Sequence, residues 1–147
     1  MGTRSLIVYT SNNHIFTSIY CHWDGYPSHV GKKLLNHYTD PVKVLALMEL
    51  GSLSSLGAEL GEVHSFDAAA MGTDFGDVCT AYGRDRGERN QEAQVSKGKK
   101  SLLQAASNCS AEHIYLFSAG YWSWYAVHTG TRWHKLTPAL VKEPVRG

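Results

Sequence analysis

The sequence predicts a single α+β domain with a mostly antiparallel sheet, and three observations support this. The chain has 147 residues, which is close to the commonest size of one domain. Both ends of the chain alternate polar and apolar residues with the period of two that is typical of strands. Between them, apolar residues recur at helical spacing. We therefore expect an N-terminal hairpin and a C-terminal three-stranded meander in one sheet, with the helices packed on one face.

The N-terminal hairpin is predicted from two runs that are separated by a short polar turn. Residues 5–10 form an apolar run, and Ser11-Asn12-Asn13 is a typical turn cluster. Residues 14–23 then alternate, with Ile19 and its period-two neighbours on one face and Tyr20 and its neighbours on the other. Two strands joined by so short a turn are expected to pair in antiparallel fashion.

Three helices are predicted in the middle of the chain, over residues 27–38, 41–50 and about 97–109. In the first, Val30, Leu34 and Tyr38 share one stripe. The second begins at Asp40-Pro41, which reads as an N-cap followed by a proline in the first turn. Residues 52–78 have few apolar anchors and are expected to form a long loop with at most a short strand.

The C-terminal meander is predicted from three apolar runs over residues 113–118, 121–128 and 132–136. Ala119-Gly120 and Thr129-Gly130 separate these runs as turns. A further strand is expected over residues 77–82, before a charged segment.

Composition excludes several classes of function. The net charge is +1, which argues against a protein that coats nucleic acid. The three cysteines, Cys21, Cys79 and Cys109, contain no CxxC pair, which disfavours a disulfide framework and a zinc site and fits a reducing cytosol. No apolar run reaches the roughly 18 residues that a membrane span needs. We expect a cytoplasmic protein with no metal, no cofactor and no membrane partner; an oligomer is possible.

The segment YCHWDGYP contains the first candidate binding residues, Tyr20, His22, Asp24 and Tyr26. One interpretation is purely structural: the segment is a strand-to-helix corner in which Trp23 packs in the core, Asp24 caps the helix or turn, and Pro27 opens the helix. The other is functional: the tyrosines and His22 form the rim of a pocket beside a helix N-terminus, where an anion binds favourably.

The segment YGRDRGE contains the second group, Tyr82, Arg84, Asp85 and Arg86. Two arginines one residue apart can hold a phosphate while a tyrosine ring stacks on a base. The alternative is a solvated turn in which the acidic side chains neutralise the arginines. Because both segments end a predicted strand, we expect them to meet at one edge of the sheet.

These two segments also carry a resemblance. Residues 18–27 and 79–88, together with Tyr115-Leu116-Phe117 and Trp124-Tyr125, resemble a group of small bacteriophage and prophage proteins without a settled activity. The resemblance implies a phage accessory protein that works in the bacterial cytoplasm. Such proteins often inhibit host defence without catalysis, either by binding a defence protein, as anti-CRISPR proteins do, or by sequestering a signalling nucleotide.

An enzyme that degrades a nucleotide or another phosphodiester is the alternative to this inhibitor. Such an enzyme would need a histidine, for example His22 or His64, within hydrogen-bond reach of the phosphodiester. The sequence predicts no catalytic residue with the spacing of a known motif.

Overall fold

The computed structural model describes residues 2–66, 76–130 and 132–142, and its centre is one mixed sheet of eight strands. The order across the sheet is β4-β3-β2-β1-β6-β7-β8, and β5 pairs with β2 outside this path. The strands are β1 (Ser5–Tyr9), β2 (Ile15–Cys21), β3 (Leu53–Ser55), β4 (Thr80–Ala81), β5 (Gln94–Lys97), β6 (His113–Ser118), β7 (Tyr121–Ala126) and β8 (His134–Lys135).

The N-terminal hairpin is confirmed. Strands β1 and β2 pair in antiparallel register, with Ile7 opposite Ile19. The side chain of Asn12 holds the turn, because its Oδ1 accepts the backbone N–H of His14 at 2.9 Å and of Ile15 at 3.0 Å. These bonds satisfy backbone groups that would otherwise lack a partner at the turn.

The C-terminal meander is also confirmed, and it joins the hairpin directly. Strands β6, β7 and β8 are consecutive antiparallel neighbours. Strand β6 lies parallel to β1, with Ile7 opposite Tyr115. Among the described strands, the pairs β1–β6 and β2–β3 are parallel and the other pairings are antiparallel. The sheet is therefore mostly antiparallel, and the fold class is α+β.

The predicted helices lie where the sequence places them. A π-helical turn over Pro27–Gly31 continues as α1 (Lys32–His37), followed by α2 (Pro41–Leu50). Asp40 caps α2, since its Oδ1 accepts the N–H of Val42 at 2.9 Å. The charged segment after β4 is a short helix, α3 (Tyr82–Arg86), rather than the turn that we expected. The last helix is α4 (Gly98–Asn108).

The helices do not all pack on one face, which corrects this detail of the prediction. Val30, Leu34 and Leu47 lie in one apolar cluster with Ile7 and Ile19. A second cluster contains Leu102 and Ala106 of α4 with Leu6, Val8 and Ile114 from the opposite face of the same strands. The physical reason is that Leu6, Ile7 and Val8 are all buried, so both faces of the central strand need an apolar cover.

Two strands were not predicted individually. Strand β3 lies within the expected loop of residues 52–78, where a short strand was allowed, and β5 has no apolar alternation to mark it. The part of that loop over residues 67–75 lies outside the described residues. Strands β3 and β5 share one side of β2, with Leu53 opposite Cys21 and Ser96 opposite Phe16.

Candidate functional site

The two candidate segments lie on either side of β3. The backbone N–H of Trp23 donates to the carbonyl of Ser54 at 3.0 Å. From the other side, the N–H of Tyr82 donates to the carbonyl of Ser52 at 3.2 Å. The Ser54 side chain lies near the Tyr82 hydroxyl and opposes the rise of the Tyr82 pKa that burial causes. The end of β2 and the start of α3 are thus two strand spacings apart, or about 10 Å.

Three of the predicted residues share one face of the sheet. Tyr20 is opposite Leu6, which packs under α4, and His22 follows two residues later on the same face. Ala81 lies in the other cluster, so the next residue, Tyr82, points to the face of Tyr20. The structure therefore brings Tyr20, His22 and Tyr82 to a common surface.

Tyr20 and His22 form a hydrogen-bonded pair at the edge of this surface. The Tyr20 hydroxyl lies 2.7 Å from Nδ1 of His22. Partial burial and the nearby Arg4 guanidinium lower the pKa of His22, so the ring is neutral at pH 7 and Nδ1 can accept the hydroxyl proton. Burial raises the pKa of Tyr20, although the nearby Arg4 guanidinium opposes that rise. Both side chains of the pair are therefore neutral at pH 7, with Arg4 close to them.

Arg86 and Tyr82 form the second half of the surface together with Phe66. The Arg86 guanidinium carbon lies 4.7 Å from the centroid of the Phe66 ring and 5.6 Å from that of Tyr82. The two rings are 5.5 Å apart, and Arg86 Nε also contacts a Glu88 carboxylate oxygen at 2.8 Å. The side chain of Arg86 keeps 49% of its surface exposed, so this stack presents a cationic group to solvent.

Arg84 and Asp85 point inward and hold the chain together. The Arg84 guanidinium donates to the carbonyls of Leu60 at 2.8 Å, Gly61 at 3.0 Å and Cys79 at 2.8 Å. It also donates to both oxygens of Asp85, at 2.9 and 3.1 Å. These bonds give Arg84 a structural position, unlike the outward position of Arg86.

The Asp85 carboxylate has no exposed surface and accepts several hydrogen bonds. The backbone N–H groups of Ala81 and His64 donate to it at 2.8 and 3.1 Å. Although burial alone would raise the pKa of Asp85, the bonds from Arg84 and these backbone groups hold it below its usual value. His64 Nε2 lies 3.5 Å from Asp85 and 3.0 Å from the Cys79 carbonyl, and the His64 side chain is only 6% exposed.

Asp24 and Tyr26 belong to a neighbouring corner. The Tyr26 hydroxyl donates to Asp24 Oδ1 at 3.3 Å, and His29 Nε2 lies 3.6 Å from Asp24. Beneath them the buried Tyr115 hydroxyl donates to the Gly25 carbonyl at 2.6 Å, which ties the corner to β6. The segment is a strand-to-helix corner with Pro27 in the first turn, as the structural interpretation expected. Two details of that interpretation are wrong: Asp24 does not cap the helical turn, whose N-cap position is Tyr26 with no side-chain bond, and Trp23 is exposed rather than packed in the core. Tyr26 is 39% exposed.

Trp23 connects this corner to the surface. Its ring meets His22 edge-on, with the centroids 4.7 Å apart, and its side chain is 43% exposed. An exposed tryptophan of this kind is common in binding surfaces and uncommon elsewhere. We name the group of Tyr20, His22, Trp23, Tyr82 and Arg86 the aromatic–arginine surface.

Two cavities near this surface are lined by described residues, and each has the wrong size or charge for a nucleotide. A cavity beside Tyr20, Ser52 and Cys109 has a volume of about 50 Å³, well below the roughly 300 Å³ of a small-molecule pocket. Another, of about 440 Å³, is lined by Glu49, Glu88 and Glu92, among others. Its one arginine, Arg84, already donates to carbonyls and to Asp85, so the lining repels phosphate.

Four residues of the site were missed from the sequence. The period of two places Trp23 on the core face with Cys21, whereas it lies beyond the end of β2 and is exposed. Arg4 stands two residues before Leu6, and the period of two would have placed it on the face of Tyr20. Ser54 and Phe66 lie in a segment without periodicity, where no local signal indicates a contact with Tyr82.

Neither a metal site nor a membrane span is found in the described part of the chain. Over residues 2–66, 76–130 and 132–142, no three His, Cys, Asp or Glu side chains are placed to hold a metal ion. Within the same ranges, every helix is too short or too polar to cross a membrane. No protein-family model, curated protein or solved structure matches this chain.

Proposed function

We propose that this protein is a non-enzymatic inhibitor that binds another protein through the aromatic–arginine surface. The observation that carries the proposal is that an exposed Trp23 ring and the outward Arg86 stack lie on either side of the short strand β3. The Trp23 backbone N–H bonds to the Ser54 carbonyl of that strand, and the N–H of Tyr82, on which Arg86 stacks, bonds to the Ser52 carbonyl just before it. Trp, Tyr and Arg are the residues that most often dominate binding energy at protein interfaces. Following the resemblance to phage proteins, we propose that the partner is a bacterial defence protein.

The rigidity of the surface supports this proposal. The Tyr20 hydroxyl is bonded to His22, the Tyr82 backbone N–H is bonded to the Ser52 carbonyl, and Arg86 stacks on two rings. Side chains that are already ordered lose less conformational entropy when a partner binds. The guanidinium groups of Arg4 and Arg86 favour a partner that presents carboxylates.

A nucleotide is the second candidate ligand, because aromatic rings beside arginines also bind bases and phosphates. The open shape of the surface and the acidic lining of the larger cavity favour a protein instead. The contacts of the two histidines favour binding over catalysis. His64 is buried against Asp85, and His22 Nδ1 already contacts the Tyr20 hydroxyl.

The test is protection of phage in bacteria that carry individual defence systems and express the protein. Trp23→Ala and Arg86→Ala should each lose protection while the melting temperature stays within a few degrees of wild type. Tyr121→Ala and Arg132→Ala are matched controls, since both residues are exposed and belong to the distant β7–β8 region. These controls should protect fully.

Two results would overturn the proposal. One is full protection by both Trp23→Ala and Arg86→Ala, which would make the surface irrelevant. The other is stoichiometric binding of a nucleotide from a panel of cyclic nucleotides, lost in Arg86→Ala. Recovery of the nucleotide unchanged would then favour sequestration, and recovery of a product would favour an enzyme.

A further inference from the structure

Strand β5 has one edge that faces away from the sheet. It pairs with β2 on one side only, and no described residue pairs with its other side. Val95 in the middle of the strand is 64% exposed, and Gln94 and Lys97 are exposed as well. Open strand edges readily pair with another strand.

The hydrogen bonds of β2 determine which groups of β5 are open. The N–H of Gly98 donates to the carbonyl of His14 at 2.7 Å, and the register places these two residues opposite each other. In an antiparallel pair, hydrogen-bonded positions alternate, so Ser96 and Gln94 also bond to β2. The N–H and C=O groups of Val95 and Lys97 therefore point outward.

The open groups are self-complementary. If a second β5 lies antiparallel with Ser96 opposite Ser96, each Val95 is opposite the other chain's Lys97. All four residues then direct their backbone groups at one another, and the two chains can form four hydrogen bonds. Val95 and Lys97 are two residues apart, so their side chains lie on the same face of β5. In the paired strands, the side chains of Val95 and the opposite Lys97 therefore project from the same face of the joined sheet, as an antiparallel pair requires.

Charge is compatible with the same register, because it places Val95 opposite Lys97 and Ser96 opposite Ser96 and brings no like charges directly opposite each other. Each Val95 also packs on the aliphatic part of the opposite lysine. We propose that a second copy of this chain docks on β5, forming a two-fold dimer in which the two sheets are continuous.

The interface is short, so the dimer should be weak and depend on concentration. Light scattering after gel filtration should give a mass near 16.2 kDa at low concentration and approach twice that value at high concentration. The range to cover is from about 5 µM to about 500 µM, where weak interfaces of this size dissociate.

Val95→Pro is the sharpest variant, because it removes an outward N–H that β2 does not use. Proline is tolerated on edge strands at such positions. The variant should remain monomeric over the whole range with unchanged circular dichroism. Val95→Thr is the matched control, since it keeps the N–H and the strand propensity, and it should dimerise like wild type.

A charge pair tests the register and does not depend on proline. In the dimer, Val95→Lys creates two pairs of directly opposite lysines, one on each side of the two-fold axis. The repulsion between these like charges should weaken the dimer about fivefold to tenfold. Adding Lys97→Glu to that variant should restore association. A wild-type protein that is monomeric at every concentration would overturn the proposal. Equal dimerisation of wild type, Val95→Lys and a folded Val95→Pro would do so too.

Discussion

Arg84 and Asp85 are adjacent in the chain and bind each other through two N–H···O contacts of 2.9 and 3.1 Å, on a carboxylate with no exposed surface. The same guanidinium donates to the backbone carbonyls of Leu60 and Gly61, which are distant in the chain, and to that of Cys79, just before α3. This pair therefore fastens residues 60–64 to the start of α3, below the aromatic–arginine surface.

We predict that Arg84→Ala destabilises the protein by about 3–5 kcal/mol, because it leaves a buried carboxylate without its cation. Arg86→Ala should change the free energy of unfolding by less than about 1 kcal/mol, since its ion pair with Glu88 is partly exposed. Urea denaturation of both variants measures the difference. Equal stability of the two variants would contradict the inward position of Arg84.

The second prediction concerns acid stability. The pKa of Asp85 is lowered in the folded protein, so the unfolded chain binds the proton more tightly. The stabilisation by Asp85 is therefore fully present above the unfolded pKa of about 3.9, and is lost as pH falls toward the folded pKa. A carboxyl NMR titration should place the Asp85 midpoint below this unfolded value of about 3.9. A midpoint above that value would refute the buried ion pair.

The contrast between the two arginines indicates what sequence could predict. Residues two apart on a helix point about 200° apart, so only one of Arg84 and Arg86 can face outward if the segment is helical. Only three residues lie between Gly83 and Gly87, which is too few to show a helical period, so the sequence does not indicate α3. Which arginine faces inward depends on Leu60, Gly61 and Cys79, and no local pattern connects these positions to Arg84.

The same reasoning explains the placement of α4. The spacing of Leu102 and Ala106 predicts a buried stripe on this helix, and the structure buries both. It does not specify which face of the sheet the stripe covers. The apolar run Leu6-Ile7-Val8 contained that information, since a strand that is apolar on consecutive residues needs cover on both sides. Strand β5 has only one buried residue, so its sequence shows no apolar alternation from which a strand could be predicted.

The third prediction concerns His113, which accepts a hydrogen bond at Nδ1 from the Trp124 indole N–H at 3.0 Å. Burial lowers the pKa of His113, and Glu112 and His128 act on it in opposite directions. Its folded pKa lies below the unfolded value of about 6.5, so its contribution to stability is lost as pH falls below that value. The imidazole NMR signals should titrate below pH 6.5.

His113→Asn supplies the control for this titration, because an asparagine oxygen can accept the same bond without gaining a proton. The free energy of unfolding of this variant should fall less between pH 7 and pH 5 than that of wild type. The lowered pKa of His22 also makes the free energy of unfolding fall as the pH falls, but it does so equally in wild type and in the variant. The difference between the two proteins therefore reports on His113 alone. Identical slopes would mean that His113 does not contribute.

The last prediction uses two glycines that differ in their surroundings. A Cβ on Gly57 would run into the backbone of Val78, closer than real Cβ atoms approach. Gly57 also accepts the Tyr38 hydroxyl bond at 2.7 Å, so the backbone cannot shift without breaking a buried contact. Gly57→Ala should therefore cost about 3 kcal/mol, as overpacking of a tight site does.

Gly87 ends α3 with φ of 71° and has nothing within 4 Å of such a Cβ. Gly87→Ala should cost only about 1–2 kcal/mol, from the left-handed backbone alone. Chemical denaturation of the two alanine variants gives the comparison, and a larger loss at Gly87 would contradict the close approach of residues 57 and 78.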